Sequence, residues 1–168
     1  LEGLRPTPSG KDSILVVIDR GTKMCHLVAT YKSSTAKDLA DELFTNVVKL
    51  HGLPSSLHTD RDRRVTKDFW PHLCARLGVK HKKSTPFHPQ SNGQVERANQ
   101  TVIQALRILT AETREDNWER LLPLAELYIN STPFIGSDQS PFSLNYGYHP
   151  SVVGEAPGRR TQRASSPK

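Results

Sequence analysis

Cysteine is almost absent from this chain: Cys25 and Cys74 are the two it has in 168 residues. They stand far apart. With no Cys-x-x-Cys pair and no His-Cys cluster, neither a zinc knuckle nor a disulfide framework is indicated. Long apolar runs are missing too, since no stretch approaches the roughly 18 residues that a membrane-spanning helix requires. The N-terminus lacks the charged and apolar regions of a signal peptide, and no internal repeat is present. The length suits one globular domain with a real core.

Acidic residues are also in deficit, with 17 Asp and Glu against 23 Lys and Arg, a net charge of +6. The excess is local. Residues 61–83 hold Arg61, Arg63, Arg64, Lys67, Arg76, Lys80, Lys82 and Lys83 against Asp62 and Asp68, eight bases to two acids. Phosphate backbones attract such density without any reading of sequence; a merely solvated basic helix and strand is the other reading. A second cluster, Arg159, Arg160, Arg163 and Lys168, lies in a Pro-, Gly- and Ser-rich end that reads as a disordered tail.

Strand and helix signals alternate along the chain. Ile14 to Ile18 reads as a buried strand and Cys25 to Thr30 as a second, joined by a turn at Gly21. Thr35 caps a helix with Ala36, Leu39, Ala40, Leu43, Phe44 and Val47 on one face, ending at Gly52 and Pro54. Ser56 to Thr59 predicts a third strand. A helix around Lys67 to Leu77 follows, started early or kinked by Pro71, then a strand from Val79 to Lys83. Gly93 to about Thr110 predicts a helix, and Trp118, Leu121, Leu122, Ala125 and Ile129 mark another. Strands interleaved with helices indicate an α/β sheet.

Two acids stand out by position. Asp60 follows a strand end, and Glu96, separated from it by 35 residues, opens the helix whose Val95, Val102, Leu106 and Leu109 turn inward. Their spacing alone is weak, because a pair of acids at this separation is expected about once by chance. Carboxylates are the hard ligands that Mg²⁺ prefers, and two such ions can serve an in-line phosphoryl displacement. A solvated turn aspartate and a glutamate complementing a helix dipole is the other reading.

The words around the two acids carry more. They are Ile14-Leu15-Val16-Val17-Ile18-Asp19-Arg20 with Thr22-Lys23, then Leu57-His58-Thr59-Asp60-Arg61-Asp62 leading to Phe69-Trp70. Next comes Phe87-His88-Pro89-Gln90-Ser91-Asn92-Gly93-Gln94-Val95-Glu96-Arg97-Ala98-Asn99, then Trp118 with Leu122-Pro123, and Ser140-Pro141-Phe142 with Tyr146-Gly147. On these ordered motifs the chain resembles the integrase catalytic core of LTR retrotransposons, most closely the gypsy type, and through it the retroviral integrases. The resemblance covers residues 1–153 and leaves 154–168 as a basic tail or linker.

That resemblance implies a ribonuclease H-like fold, a mixed sheet flanked by helices. It implies DNA integration by two-metal polynucleotidyl transfer, in which element 3′ ends are trimmed and joined to target DNA. The family's catalytic, metal-holding acids are Asp, Asp and Glu. Asp60 and Glu96 match the last two, with Mg²⁺ as cofactor and Mn²⁺ as a substitute. Asp19 sits on the family's second strand and reads as a structural turn residue. Because Leu1-Glu2-Gly3-Leu4 resembles the residues just after the first acid, that acid is expected about two positions upstream of Leu1. The N-terminal central strand is then truncated in this stretch, which would be inactive by itself. The family's zinc-binding N-terminal module has no counterpart in these residues.

Arg61, Lys82, Lys83, His88, Asn99 and Gln100 are the candidate nucleic-acid contacts, with plain surface roles as the alternative for Asn99 and Gln100 and a structural one for His88. The expected partners are element ends, target DNA and further copies of the chain on DNA, with no membrane. The expected location is the nucleus, or a cytoplasmic particle before nuclear entry. Two departures from the pattern, Val65 where the family has Phe and Asp62 where it has Gly, remove no chemistry. A domesticated, noncatalytic nucleic-acid-binding module is the rival reading. A cut-and-paste transposase is a third, which Phe87-His88-Pro89-Gln90 and the Trp118 helix fit less well.

Overall fold

The computed structural model describes residues 1–54, 71–73, 75, 92–134 and 136–150. Asp60, Arg61, Lys82, Lys83 and His88, the strands expected at 56–59 and 79–83 and the tail from 154 lie outside the described residues. Of the helix expected near Lys67 to Leu77, residues 71–73 are helical, with Pro71 exposed and Leu73 buried.

Two antiparallel strands form the described sheet, β1 (Ser13–Ile18) and β2 (Cys25–Thr30), in a register that pairs Ser13 with Thr30 and Ile18 with Cys25. β1 is apolar at nearly every position because both of its faces are covered. Ile14, Val16 and Ile18 join one hydrophobic cluster, while Leu15 and Val17 pack against another. Beyond β1's other edge the main chain of Leu1 exchanges two hydrogen bonds with Ile14, each 2.8 Å. The turn between the strands is tight. Asp19 Oδ2 accepts from the Thr22 N–H at 2.6 Å and the Thr22 hydroxyl at 2.9 Å, and a Cβ on Gly21 would sit 3.2 Å from that oxygen.

Helix α1 (Ala36–Leu43) begins with a reciprocal capping box between Thr35 and Asp38. It continues through a π-helical turn, Phe44–Val48, and a last α-turn, Lys49–His51, and stops at Gly52, whose φ is +81°. The wide turn coincides with Asn46, whose side-chain amide donates to the Glu42 carbonyl at 2.8 Å and takes up an acceptor of the helical ladder. Leu39, Ala40, Leu43, Val48 and Leu73 bury their side chains together under one face of the sheet.

On the other face lie α2 (Asn92–Thr113) and α3 (Trp118–Ser131). Val102, Ala105, Leu106 and Leu109 of α2 mesh with Trp118, Leu121, Leu122 and Ala125 of α3 and with Ile14, Cys25 and Leu27 of the sheet. Trp118 is fixed further by its indole N–H, which donates to the Arg5 carbonyl at 2.8 Å. A short helix, α4 (Pro141–Tyr146), was not expected from the sequence. It has a Ser140–Ser143 capping box, proline in its first turn and left-handed Gly147 at its end.

The outer edge of β2 is closed by a helix rather than a strand. Alternate residues of an antiparallel ladder turn their N–H and C=O away from the partner. Since Asp19 bonds Met24 across the ladder, Cys25 and Leu27 point outward. The Asn130 amide meets both groups of Cys25, accepting from its N–H at 2.9 Å and donating to its carbonyl at 2.8 Å. One helical turn earlier, Glu126 accepts from the Leu27 N–H at 2.7 Å. Two polar side chains spaced i, i+4 thus share one helical face and stand in for the missing strand.

Candidate catalytic and nucleic-acid-binding site

Helix α2 positions Glu96. The helix begins at Asn92, one residue before the expected Gly93, so Glu96 is its fifth residue, just past the first turn. Gly93, read as the start, lies inside the helix. At about 100° per residue, Glu96 points roughly 130° away from the mean direction of the buried stripe, and it is exposed, as that direction requires. The stripe anchors the helix against the core, so the carboxylate projects from a rigid element.

Gln100 is exposed on the same face, Ile103 half-buried, and Asn99 lies half-buried at the margin. Of Asn99, Gln100 and Ile103, all expected to share a face with Glu96, Gln100 and Ile103 do so, while Asn99 stands at the margin of the buried stripe. Arg107, which the sequence reading missed, is exposed three turns beyond Glu96 and within about 20° of it round the axis. Its signal in the sequence is the helical period counted from Glu96, since 11 residues make about three turns. The face therefore offers a carboxylate, an amide and a guanidinium in line along the helix.

Asp19 is occupied in its turn. The Thr22 N–H is the main influence holding its carboxyl below the ordinary carboxylate range, aided by the Thr22 hydroxyl and the nearby Lys23 charge and opposed by partial burial. Among the described residues no three His, Cys, Asp or Glu side chains are placed together to hold a metal ion. No helix among them is long and apolar enough to cross a membrane. Cys25 is a free, buried thiol whose pKa is pushed up to about 12, chiefly by burial and further by the charge of Glu126.

No family model matches the chain. It is 31% identical over 147 residues to the Transposon Tf2-3 polyprotein of Schizosaccharomyces pombe, an alignment covering 88% of this chain and 11% of the polyprotein. The chain therefore spans about a tenth of the length of such a relative. Among solved structures, it is similar to a chain of the simian T-cell lymphotropic virus intasome in complex with PP2A regulatory subunit B56 gamma. There the TM-score is 0.62 and the identity 21%, over 91% of this chain and 54% of the other. It is likewise similar to the HTLV-2 integrase catalytic core domain in complex with magnesium, in a dimeric form. That match has a TM-score of 0.60 and 16% identity, over 79% of this chain and 83% of that one.

Proposed function

The chain belongs with the integrase catalytic cores of LTR retrotransposons and has their ribonuclease H-like fold, and from that premise we propose that it joins DNA ends by metal-dependent polynucleotidyl transfer, in the manner of the gypsy-type elements. The observation that carries this reading is Glu96, held exposed on a core-anchored helix in line with Gln100 and Arg107.

Asp60 and Glu96 are the residues that would hold Mg²⁺, or Mn²⁺ in its place. The donor chemistry fits: Glu96 offers an exposed carboxylate, and carboxylate oxygens suit a hard cation that retains water. When bound, paired metal ions supply charge to the attacking and leaving oxygens of an in-line displacement. The protein's part is position. Glu96 is presented by a helix that cannot rotate without exposing Val102 and Leu106, while Gln100 and Arg107 reach toward a phosphate backbone lying along α2. Arg61, Lys82 and Lys83 add positive charge from the basic segment, and His88 and Asn99 complete the candidate contacts. A first carboxylate on a strand beside β1 is supported by Leu1, whose pairing with Ile14 already follows that edge.

In this reading water first trims the element's 3′ end, and the freed 3′-hydroxyl then attacks a target phosphodiester, in the nucleus and as a multimer on DNA. The deciding experiment is Mg²⁺-dependent strand transfer on an oligonucleotide bearing the element's own terminus, with the chain preceded by its upstream reading frame. Asp60→Asn and Glu96→Gln each abolish transfer and leave DNA binding intact. Transfer at the unsubstituted rate in either variant removes that residue from the catalytic role. DNA binding without any transfer in the unsubstituted protein replaces the proposal with a domesticated binding module.

A further inference from the structure

Away from α2, three elements converge on a pair of histidines. His26 of β2 is buried, and His51 lies in the last helical turn after α1, on the exposed side. Their Nε2 atoms face each other at 2.9 Å, with ring centroids 5.0 Å apart. Behind His26, Glu126 of α3 places Oε1 at 3.0 Å from Nδ1, while its Oε2 is held by the Leu27 N–H. An ionised carboxylate only accepts, so the Nδ1 of His26 carries a hydrogen. In its neutral form that ring presents a bare lone pair at Nε2. A single hydrogen, donated by His51, then fills the space between the two nitrogens.

We propose that His26 and His51 form a two-imidazole site for a divalent transition-metal ion, with Glu126 as the outer carboxylate that orients His26 and with water completing the coordination. A tetrahedral zinc at about 2.0–2.1 Å from each nitrogen needs them about 3.3–3.4 Å apart. The pair must therefore spread by about 0.4 Å, a movement available to the exposed His51. The hydrogen on Nε2 of His51 leaves for solvent and Nδ1 of the same ring takes one up, so the imidazole stays neutral when the metal enters. Carboxylate behind imidazole is the arrangement that fixes ring orientation and raises ligand basicity in metal sites. A cavity of about 480 Å³ reaches His26 and Glu126, with Met24 and Asn46 also in its walls, and the water ligands have access from solvent on the side where His51 is exposed. Imidazole nitrogen selects zinc, copper or nickel over magnesium, so this site and the carboxylate site of α2 take different ions. A bound ion would staple the end of α1 to β2 and, through Glu126, to α3.

The test is equilibrium dialysis of the full chain against Zn²⁺ with Mg²⁺ in large excess, read as ions bound per chain. The unsubstituted protein binds one ion more than His51→Ala, and Zn²⁺ raises the Tm of the former but not of the latter. Co²⁺ in the same site gives the strong visible bands of a four-coordinate ion, absent from His51→Ala. Glu126→Gln weakens binding by about 10- to 100-fold. Equal stoichiometry in the unsubstituted protein and a folded His51→Ala, or no Zn²⁺ bound by the former, overturns the site and leaves a hydrogen-bonded histidine pair. His51→Ala carries the comparison because buried His26 contributes to the fold, and none of these readouts depends on strand transfer.

Discussion

Removing the Asn130 amide should cost this fold about as much as truncating a buried Leu or Ile to Ala, about 2–5 kcal/mol. Asn130 is 2% exposed, and its amide is the partner of both main-chain groups of Cys25, at 2.9 and 2.8 Å. Asn130→Ala leaves a buried N–H and a buried C=O without partners, at about 1–3 kcal/mol each, so the loss is about 2–6 kcal/mol. Against a total stability of about 5–15 kcal/mol that is a large share, equivalent to about 4–24 °C in Tm for a domain of this size. Asn130→Asp separates the two bonds. Its carboxylate still accepts from the Cys25 N–H but sets a second acceptor against the Cys25 carbonyl, and protonation restores the donor. The folded protein therefore prefers the protonated acid, and the variant's pKa rises above the unfolded value of about 3.9. Its stability relative to the unsubstituted protein is greatest below about pH 4 and falls as pH rises through the folded pKa. Urea unfolding followed by far-UV circular dichroism at pH 4 and pH 7 measures both effects. Asn130→Ala within about 0.5 kcal/mol of the parent, the range of a neutral surface change, would refute the edge-closing role.

Three smaller expectations accompany it. Thr35→Ala breaks the capping box of α1 and costs about 1 kcal/mol. Bonds from the Thr35 N–H and then its hydroxyl hold the Asp38 carboxyl below its ordinary value, so this contribution is present above about pH 4 and lost as pH falls through the folded pKa; Asp38→Asn removes that part of the pH dependence of urea unfolding. The buried Cys25 thiol, with a pKa of about 12, stays unalkylated by iodoacetamide at pH 8 until urea is added, and peptide mapping that found it labelled in the native protein at the rate of an exposed thiol would contradict the packing. Arg107→Gln lowers the salt-dependence slope of DNA binding by about 0.9, the share of one phosphate contact, whereas an unchanged slope separates the Glu96 face of α2 from the DNA path.

The elements that sequence could reveal are those specified locally. β1 and β2 were legible because an apolar run ends at a turn, and α1 because Thr35 precedes a helical apolar stripe. Trp118, Leu121, Leu122 and Ala125 give α3 by period alone, in spite of Pro123 inside it. Helix α4 had its punctuation in plain sight, Ser140, Pro141 and Gly147, but six residues are too few for a periodic signal. The start of α2 was legible to within one residue, Gly93 expected and Asn92 found, the ordinary spread of a helix end.

What the sequence withheld is contact between distant polar residues. Asn130 and Glu126 interrupt the apolar face of α3, and in a linear reading each looks like a surface residue at the margin of the stripe. Their use appears only when β2, about a hundred residues earlier, presents Cys25 and Leu27 with outward-facing main-chain groups. A strand edge needs donors and acceptors at the ladder's spacing, and a helix can meet that need with one turn between two polar side chains. The same Glu126 reaches the His26 ring with its other oxygen. One carboxylate thus both closes the sheet edge and orients the imidazole, so Glu126→Gln, which keeps an acceptor for the Leu27 N–H, weakens metal binding with little effect on the fold, whereas Glu126→Ala disturbs both.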